Sequence, residues 1–220
     1  PETAALWDAE ASGQGLGPAH LALAALYRDG LGVQQDLAAA LALYQSAAGL
    51  GLAEGQYYVG LFHEKGIAVP KDQKAAVEWY QQAAQQGHPA AQRNLGAMRL
   101  VGVHLPQDCA EAAALYGAAA RAGDPDAQFN YGMMCIHGVG LERNRREGLA
   151  WLRRSAEQGF AQAQFNLGVM YQKGAGGLRQ SDKNALMWFE LAAQREFLFA
   201  VHAVGACYEM GWGCDKDEAQ

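Results

Sequence analysis

The chain has 220 residues, of which half are hydrophobic, and carries a formal net charge of -6 at pH 7. Binding to nucleic acid needs a basic face that neutralises phosphates, so this charge argues against a nucleic-acid partner. The sequence contains no apolar run of about 20 residues that could span a membrane, and no targeting segment is visible. Because it begins at Pro1, the chain is expected to be a processed or excised piece.

A period of 36 residues runs along the whole chain and predicts a stacked array of helical repeats, because periods of about 20 to 50 residues are typical of such arrays. We predict one domain over residues 1–220, an all-α right-handed superhelix (solenoid) of stacked antiparallel helix pairs. Its units lie near 1–15 (partial), 16–51, 52–87, 88–123, 124–159, 160–196 and 197–220 (partial).

Each unit is predicted to contain two helices with local start and stop signals. A glycine ends the first helix: Gly30, Gly66, Gly102, Gly138, Gly174 and Gly211. An N-cap residue then begins the second helix: Asp36, Asp72, Asp108, Asn144, Ser181 and Asp217. The second helix ends at Gly51, Gly87, Gly123 or Gly159, and Pro89 and Pro125 open later first helices.

The array departs from its period at three places. It opens in mid-unit, where Trp7 is in phase with Trp79 and Trp151, and it closes in mid-unit after Gln220. We therefore expect imperfectly capped ends, so that either the native chain continues or the ends mediate self-association. The fifth unit has an insertion within residues 175–180 and has Glu196 where glycine is expected.

A glycine also recurs inside the first helices, where it costs about 1 kcal/mol relative to alanine. The positions are Gly60, Gly96, Gly132, Gly168 and Gly205, with Ala24 in the first copy. This recurrence predicts that another helix crosses closely over the bare Cα. We expect leucine to unfold the array locally at these positions and alanine to be tolerated.

Two copies carry a motif that resembles the Sel-one-like repeat (SLR), a relative of the tetratricopeptide repeats. One copy has Gln164, Leu167, Gly168, Met170, Tyr171, Gly174 and Gly176, and the other has Asp72, Lys74, Ala75, Trp79, Ala83, Ala84 and Gly87. The resemblance covers essentially the whole chain. It implies a right-handed α-solenoid whose first helices line the concave side, and a scaffold or adaptor role, often in bacterial envelope, secretion or signalling systems.

The resemblance also implies that the chain is not an enzyme and has no cofactor, since this family has no common catalytic residues. Two rival functions stay open: a structural subunit of an oligomer or envelope assembly, and, less favoured, an enzyme of unknown activity. The compartment stays open between the bacterial periplasm or envelope and the cytoplasm. The disulfides of cysteine-rich relatives are not expected, because alanines such as Ala84 and Ala91 occupy those positions.

The cysteines and histidines do not predict a metal site, because no Cys-x-x-Cys or His-x-x-x-His spacing occurs. Met133, Met134 and Cys135 offer soft ligands, but their directions on a helix diverge, so ordinary packing is favoured. Cys207 falls in the column of Met98, Met134 and Met170, which favours a packed thiol over a pair with Cys214.

A cluster of arginines concentrates positive charge in the fourth unit of this acidic protein. Its members are Arg143, Arg145, Arg146, Arg153 and Arg154. They form either a solvated outer face, which is the favoured interpretation, or a dock for an acidic or phosphorylated partner, which the fork of the guanidinium suits.

An apolar stripe on the first helices is the other candidate binding surface, because its columns vary while the packing columns recur. The candidate residues are Tyr57, Arg93, Asn94, Phe129, Asn130, Met133, Ile136, Phe165, Asn166 and Val169. They form either a groove for a helix or extended peptide, with the asparagines holding its backbone, or core between adjacent first helices. In the first case, replacing Phe129 and Phe165 with alanine abolishes partner binding at little cost in stability.

Overall fold

The computed structural model describes residues 15–214, and this part of the chain folds into eleven α-helices and no strands. Two compact units divide the chain, Pro1–Gln107 and Asp108–Gln220. The predictions for Trp7, Asp217 and the terminal residues after it lie outside the described residues.

The first unit contains five helices, and each packs against the next one along the chain. They are α1 (Leu16–Asp29), α2 (Leu37–Gly49), α3 (Ala53–Lys65), α4 (Gln73–Gln85) and α5 (Pro89–Val101). Tyr44, Phe62 and Tyr80 are its largest fully buried side chains. Odd-numbered helices are the first helices of their repeats here, and even-numbered ones are the second helices.

The second unit contains six helices, which also pack consecutively. They are α6 (Cys109–Arg121), α7 (Pro125–His137), α8 (Arg145–Glu157), α9 (Ala161–Lys173), α10 (Asp182–Ala193) and α11 (Leu198–Met210). Its core is built around Leu152, Leu167 and Phe189. The first helices of the repeats are α7, α9 and α11.

The predicted helix boundaries agree with the observed caps within the described residues. Each second helix begins after a side-chain N-cap that accepts backbone N–H groups: Asp36, Asp72, Asp108, Asn144 and Ser181. Each first helix ends at a left-handed glycine with φ from 61° at Gly174 to 79° at Gly102. The second helices end two residues before the glycines predicted to terminate them, as Gly51 follows a helix that ends at Gly49.

Two N-caps on first helices were missed in the sequence. Asp124 Oδ1 accepts the Ala127 N–H at 2.8 Å, and His88 Nδ1 accepts the Ala91 N–H at 3.3 Å. Each precedes a proline at the first helical position. The cap therefore satisfies one of the backbone donors that the start of a helix leaves free.

A close helix crossing explains the recurrent glycine and corrects one expectation. A Cβ added at Gly132 would lie 2.8 Å from the Gly148 carbonyl oxygen and 3.1 Å from the Leu152 nitrogen, both in the backbone of α8. A Cβ at Gly168 would lie 2.5 Å from the ring of Phe189. The expectation that alanine is tolerated is therefore wrong at Gly132 and Gly168, because one methyl group there already collides with packed atoms. At Gly205 no atom of residues 15–214 lies within 4 Å of an added Cβ.

A buried amide links three helices of the second unit. Gln128 Nε2 donates to the Ala120 carbonyl at 3.1 Å, and Gln158 Nε2 donates to Gln128 Oε1 at 2.7 Å. The amide of Gln128 on α7 thus bonds the end of α6 and the C-cap residue of α8. Since an unpaired buried amide is costly, this bridge helps to fix how successive helices align.

Candidate functional site

The candidate residues of the apolar stripe fall into the two units. Tyr57, Arg93 and Asn94 belong to the first unit, and all three are partly buried. The Tyr57 ring stacks on His88 at 4.7 Å and also contacts Tyr80 at 5.8 Å between centroids. The side chains of Asn94 and Tyr80 hydrogen bond to each other. These contacts give Tyr57 and Asn94 packing roles inside the first unit.

The seven other candidates lie in the second unit and are not equally accessible. Phe129 and Ile136 are only 8% exposed and pack into the same core cluster as Leu152 and Leu167. The burial of Phe129 and Ile136 agrees with the interpretation of the stripe as core between adjacent first helices. The expected low stability cost of Phe129→Ala is therefore wrong, because its ring fills the core and packs 5.6 Å from the ring of Phe160.

Phe165, Met133 and Val169 are half-buried, and so are Asn130 and Asn166. The Asn130 amide donates to the Asp126 carbonyl at 2.9 Å, and the Asn166 amide donates to the Gln162 carbonyl at 2.8 Å. One N–H of each amide is thus engaged within its own helix. The Oδ1 of each asparagine remains an acceptor that can receive a hydrogen bond from a partner.

The five arginines are all exposed, but they separate into two groups. Arg153 donates to the Tyr171 hydroxyl at 3.1 Å, and the Arg154 guanidinium lies 4.6 Å from the centre of the Trp151 ring. Arg143 and Arg145 instead line a pocket next to the apolar stripe, as described below. Arg146, the remaining member, is the neighbour of Arg145 in the first turn of α8.

A pocket of about 350 Å³ brings residues of the two candidate surfaces together. Met133 and Ile136 of α7 and Val169 and Met170 of α9 give it an apolar wall. Its polar lining comes from Asn166, His137, Arg143 and Arg145. The pocket thus combines apolar contact area with two cationic groups, as small ligand sites typically do.

The loop that follows α9 completes this pocket. Ala175 and Gly176 line it, and a Cβ at Gly176 would clash with the methyl group of Met170. Gly176 also has a left-handed φ of 69°. Ala175 and Gly176 are in register with Val139 and Gly140 of the preceding repeat. Their proximity to Arg143 was not visible in the sequence, because Arg143 belongs to a different repeat.

The two charged side chains that line the pocket, Arg143 and Arg145, are both cationic. The guanidinium groups of Arg143 and Arg145 have no carboxylate partner among residues 15–214. The N-terminus of α8, which begins at Arg145, adds the positive end of its helix dipole. The nearby carboxylate of Glu147 is engaged by the Asn144 amide at 3.1 Å and the Trp151 indole at 3.4 Å.

All four cysteines lie within residues 15–214 and form no disulfide with one another. Cys135 and Cys207 are buried, and desolvation raises the pKa of both thiols. The Cys214 thiol contacts the Cys207 carbonyl oxygen at 3.7 Å. Within residues 15–214 no three His, Cys, Asp or Glu side chains are placed to hold a metal ion, and no helix there is long and apolar enough to cross a bilayer.

The fold and the sequence define a repeat protein of known class. The model of the Sel1 repeat matches six consecutive segments: 17–52, 53–88, 89–124, 125–160, 161–197 and 198–220. The chain therefore belongs to the Sel1 repeat family, an all-α family of helical repeat solenoids. The fifth repeat, 161–197, is one residue longer than the four before it.

Solved structures of other repeat proteins are similar to this chain. The c5321 protective antigen of uropathogenic Escherichia coli, which displays an SLR fold, is 31% identical over 94% of this chain, with a TM-score of 0.79. The Sel1 repeat protein of Oxalobacter formigenes is 29% identical over 92% of this chain and 81% of its own length, with a TM-score of 0.83. No curated protein matches the sequence.

The chain spans 44% of the length of the Escherichia coli antigen. A more distant structure, the immunity protein PA5088 of Pseudomonas aeruginosa, is 21% identical over 89% of this chain and 70% of its own, with a TM-score of 0.57, and shares the fold alone. The Sel1 repeat fold generally mediates protein–protein interaction and is generally non-catalytic.

Proposed function

We propose that this chain is an adaptor that binds a segment of a partner protein on the first-helix face of its second unit, along α7 and α9. The observation that supports this proposal is the pocket of about 350 Å³ between these two helices. The half-buried side chains of Phe165 and Val169 supply apolar area, and the Oδ1 atoms of Asn130 and Asn166 supply acceptors for backbone N–H groups. A helix or an extended peptide can use both.

A second candidate function is self-association, and the surface of α11 favours it. Leu198, Phe199 and Met210 are 71%, 69% and 62% exposed, and Trp212 just after the helix is 43% exposed. Leu198 and Phe199 lie at the start of this helix and Met210 and Trp212 at its end, so each end exposes large apolar side chains. Exposed apolar side chains grouped in this way are typical of interaction sites. Light scattering of the purified chain over a range of concentrations separates this function from that of a monomeric adaptor.

Site-specific photo-cross-linking tests the adaptor proposal. A benzophenone amino acid is introduced at Asn130 or Phe165 on the proposed face, or at Ala150, an exposed position on α8. In a lysate of the source organism, we expect the same partner to be cross-linked from Asn130 and Phe165 but not from Ala150. Equal cross-linking from all three positions, or none from the two face positions, would contradict the proposal.

A further inference from the structure

We infer that the pocket between α7 and α9 takes a large aliphatic side chain of the partner together with a carboxylate, Asp or Glu, directly next to it in the partner's sequence. This inference rests on the proposed adaptor function and names the chemistry of the segment that is bound. It depends on three features: the apolar wall, the two cationic groups, and the way in which Arg143 is held.

The apolar wall determines the first part of the segment. Met133, Ile136, Val169 and Met170 come from two neighbouring first helices and face one volume of about 350 Å³. This volume is at the lower end of the range for ligand sites, about 300–1,000 Å³, and so suits one large side chain rather than a cofactor. Flexible methionines adapt to aliphatic groups of different shape, so the wall favours an aliphatic side chain as a class.

Arg143 occupies a position that has a structural role in other repeats. Gln35 Nε2 donates to the Arg28 carbonyl at 2.8 Å, and Gln107 Nε2 donates to the Leu100 carbonyl at 2.9 Å, each near the end of a first helix. Arg143 Nε makes the same bond to the Ile136 carbonyl at 2.9 Å. Arginine thus keeps the bond that glutamine makes elsewhere and adds a positive charge at the pocket.

The bond to Ile136 also holds the guanidinium in place. With Nε engaged, the two Nη groups of Arg143 are left as donors that have no carboxylate partner within residues 15–214. A pair of such donors matches the two oxygens of a carboxylate, and the fixed group loses little entropy on binding. Arg145 and the helix N-terminus add positive charge at the same place.

The carboxylate must lie close to the aliphatic side chain, because Arg143 contributes to the lining of the same pocket as Ile136. An acidic group far along the partner would reach only the solvated arginines. The overall charge of -6 opposes a generally anionic partner such as nucleic acid. A local acidic group beside an apolar one is therefore the chemistry that the pocket fits.

Short amidated peptides with a Gly-Ser host sequence test this assignment. Four peptides carry Leu-Glu, Leu-Gln, Ser-Glu or Ser-Gln at the centre, and binding to the whole chain is followed by NMR of its Ile, Val and Met methyl groups. We expect the Leu-Glu peptide to shift the methyl signals of Met133, Ile136 and Val169 and to bind about tenfold more tightly than either singly altered peptide. Equal affinity for all four, or no shifts at these methyl groups, overturns the inference.

Two arginine variants with the same change in charge provide the matched comparison. Arg143→Gln keeps a side chain that caps the preceding helix in other repeats, so it should fold as the native chain does but bind the Leu-Glu peptide about tenfold more weakly. Arg154→Gln, on α8 but outside the pocket lining, should leave the affinity unchanged. An equal loss in both variants would show a diffuse charge effect and would overturn the assignment.

The two proposals fail in different ways. If the partner is cross-linked from Asn130 and Phe165 but the peptides do not discriminate, the adaptor function stands and the assignment of the pocket is wrong. If the Leu-Glu peptide binds selectively but no partner is cross-linked from the face, the pocket assignment stands and the adaptor function along this face is wrong.

Discussion

Alanine scanning of the recurrent first-helix glycine gives the sharpest test of the helix crossing. At Gly132 a new methyl group meets the α8 backbone at 2.8 Å, and backbone atoms cannot swing aside as the end of a side chain can. At Gly205, in the same column two repeats later, no atom of residues 15–214 lies within 4 Å of the added methyl group. The two substitutions are chemically identical, so their difference isolates the crossing.

The magnitude follows from two opposing effects. Replacing a mid-helix glycine with alanine stabilises a helix by about 1 kcal/mol, and this gain applies at both positions. Overpacking at Gly132 costs about 1–3 kcal/mol. We therefore expect Gly205→Ala to be more stable than the native chain by about 1 kcal/mol, and Gly132→Ala to be less stable than Gly205→Ala by about 1–3 kcal/mol.

Urea unfolding followed by circular dichroism measures both variants, and equal slopes indicate that only stability has changed. Amide hydrogen exchange shows whether the loss is confined to α7 and α8, because repeat arrays open locally. If Gly132→Ala unfolds at the same urea concentration as Gly205→Ala, the close approach of α7 and α8 does not constrain the fold, and the explanation of the glycine column is refuted.

Three further predictions concern single residues. Phe129→Ala should lower the free energy of unfolding by about 3–5 kcal/mol, and the half-buried Phe165→Ala by clearly less; equal losses in urea titrations would contradict the core assignment. Glu196 has a left-handed φ of 58°, a conformation that glycine adopts without strain, so Glu196→Gly should raise the unfolding free energy by about 1 kcal/mol. Gly123 has a φ of 97° and open space around it, so Gly123→Ala should lower the unfolding free energy by a similar amount, through backbone strain alone. Burial lowers the pKa of His88, so the folded state favours the neutral imidazole. The contribution of His88 to stability is therefore complete above about pH 6.5 and should be lost as the pH falls below that value. His88→Asn, which keeps a neutral N-cap, should remove this part of the pH dependence of the unfolding free energy, and an unchanged pH profile would refute the prediction.

The helices and their ends could be predicted because their signals are local. An Asp, Asn or Ser before a second helix accepts N–H groups only two or three residues away, as Asp36 does from Ala38 and Ala39. Glycine at the end of a first helix adopts a conformation that other residues rarely do. At Glu196 the chain keeps the left-handed conformation without glycine, so there the position in the repeat, and not the residue, predicts the backbone.

The accessibility of the candidate site could not be predicted in the same way. Phe129 and Phe165 occupy one column of the repeat, yet Phe129 is buried against the cluster around Leu152 while Phe165 is half-buried. The ring of Phe165 packs on Phe197 at 5.5 Å and on Phe199 at 6.2 Å, more than 30 residues away along the chain. Burial in this column thus depends on what the next repeat presents, which a period alone does not specify.

The pocket shows why departures from the period are the better guide to function in this chain. Residues that recur in most copies, such as Gln128 and Gly132, bond or pack against the neighbouring helices, so their recurrence reports the fold. Arg143 differs from Gln35 and Gln107 at the same position and still makes their hydrogen bond. Since the structural requirement is met equally by glutamine, the charge of Arg143 is not needed for the fold. The loop residues that line the same pocket, Ala175 and Gly176, keep the register of Val139 and Gly140 in the preceding repeat. Arg143 is therefore the departure that marks this pocket, and that is where we propose that the partner binds.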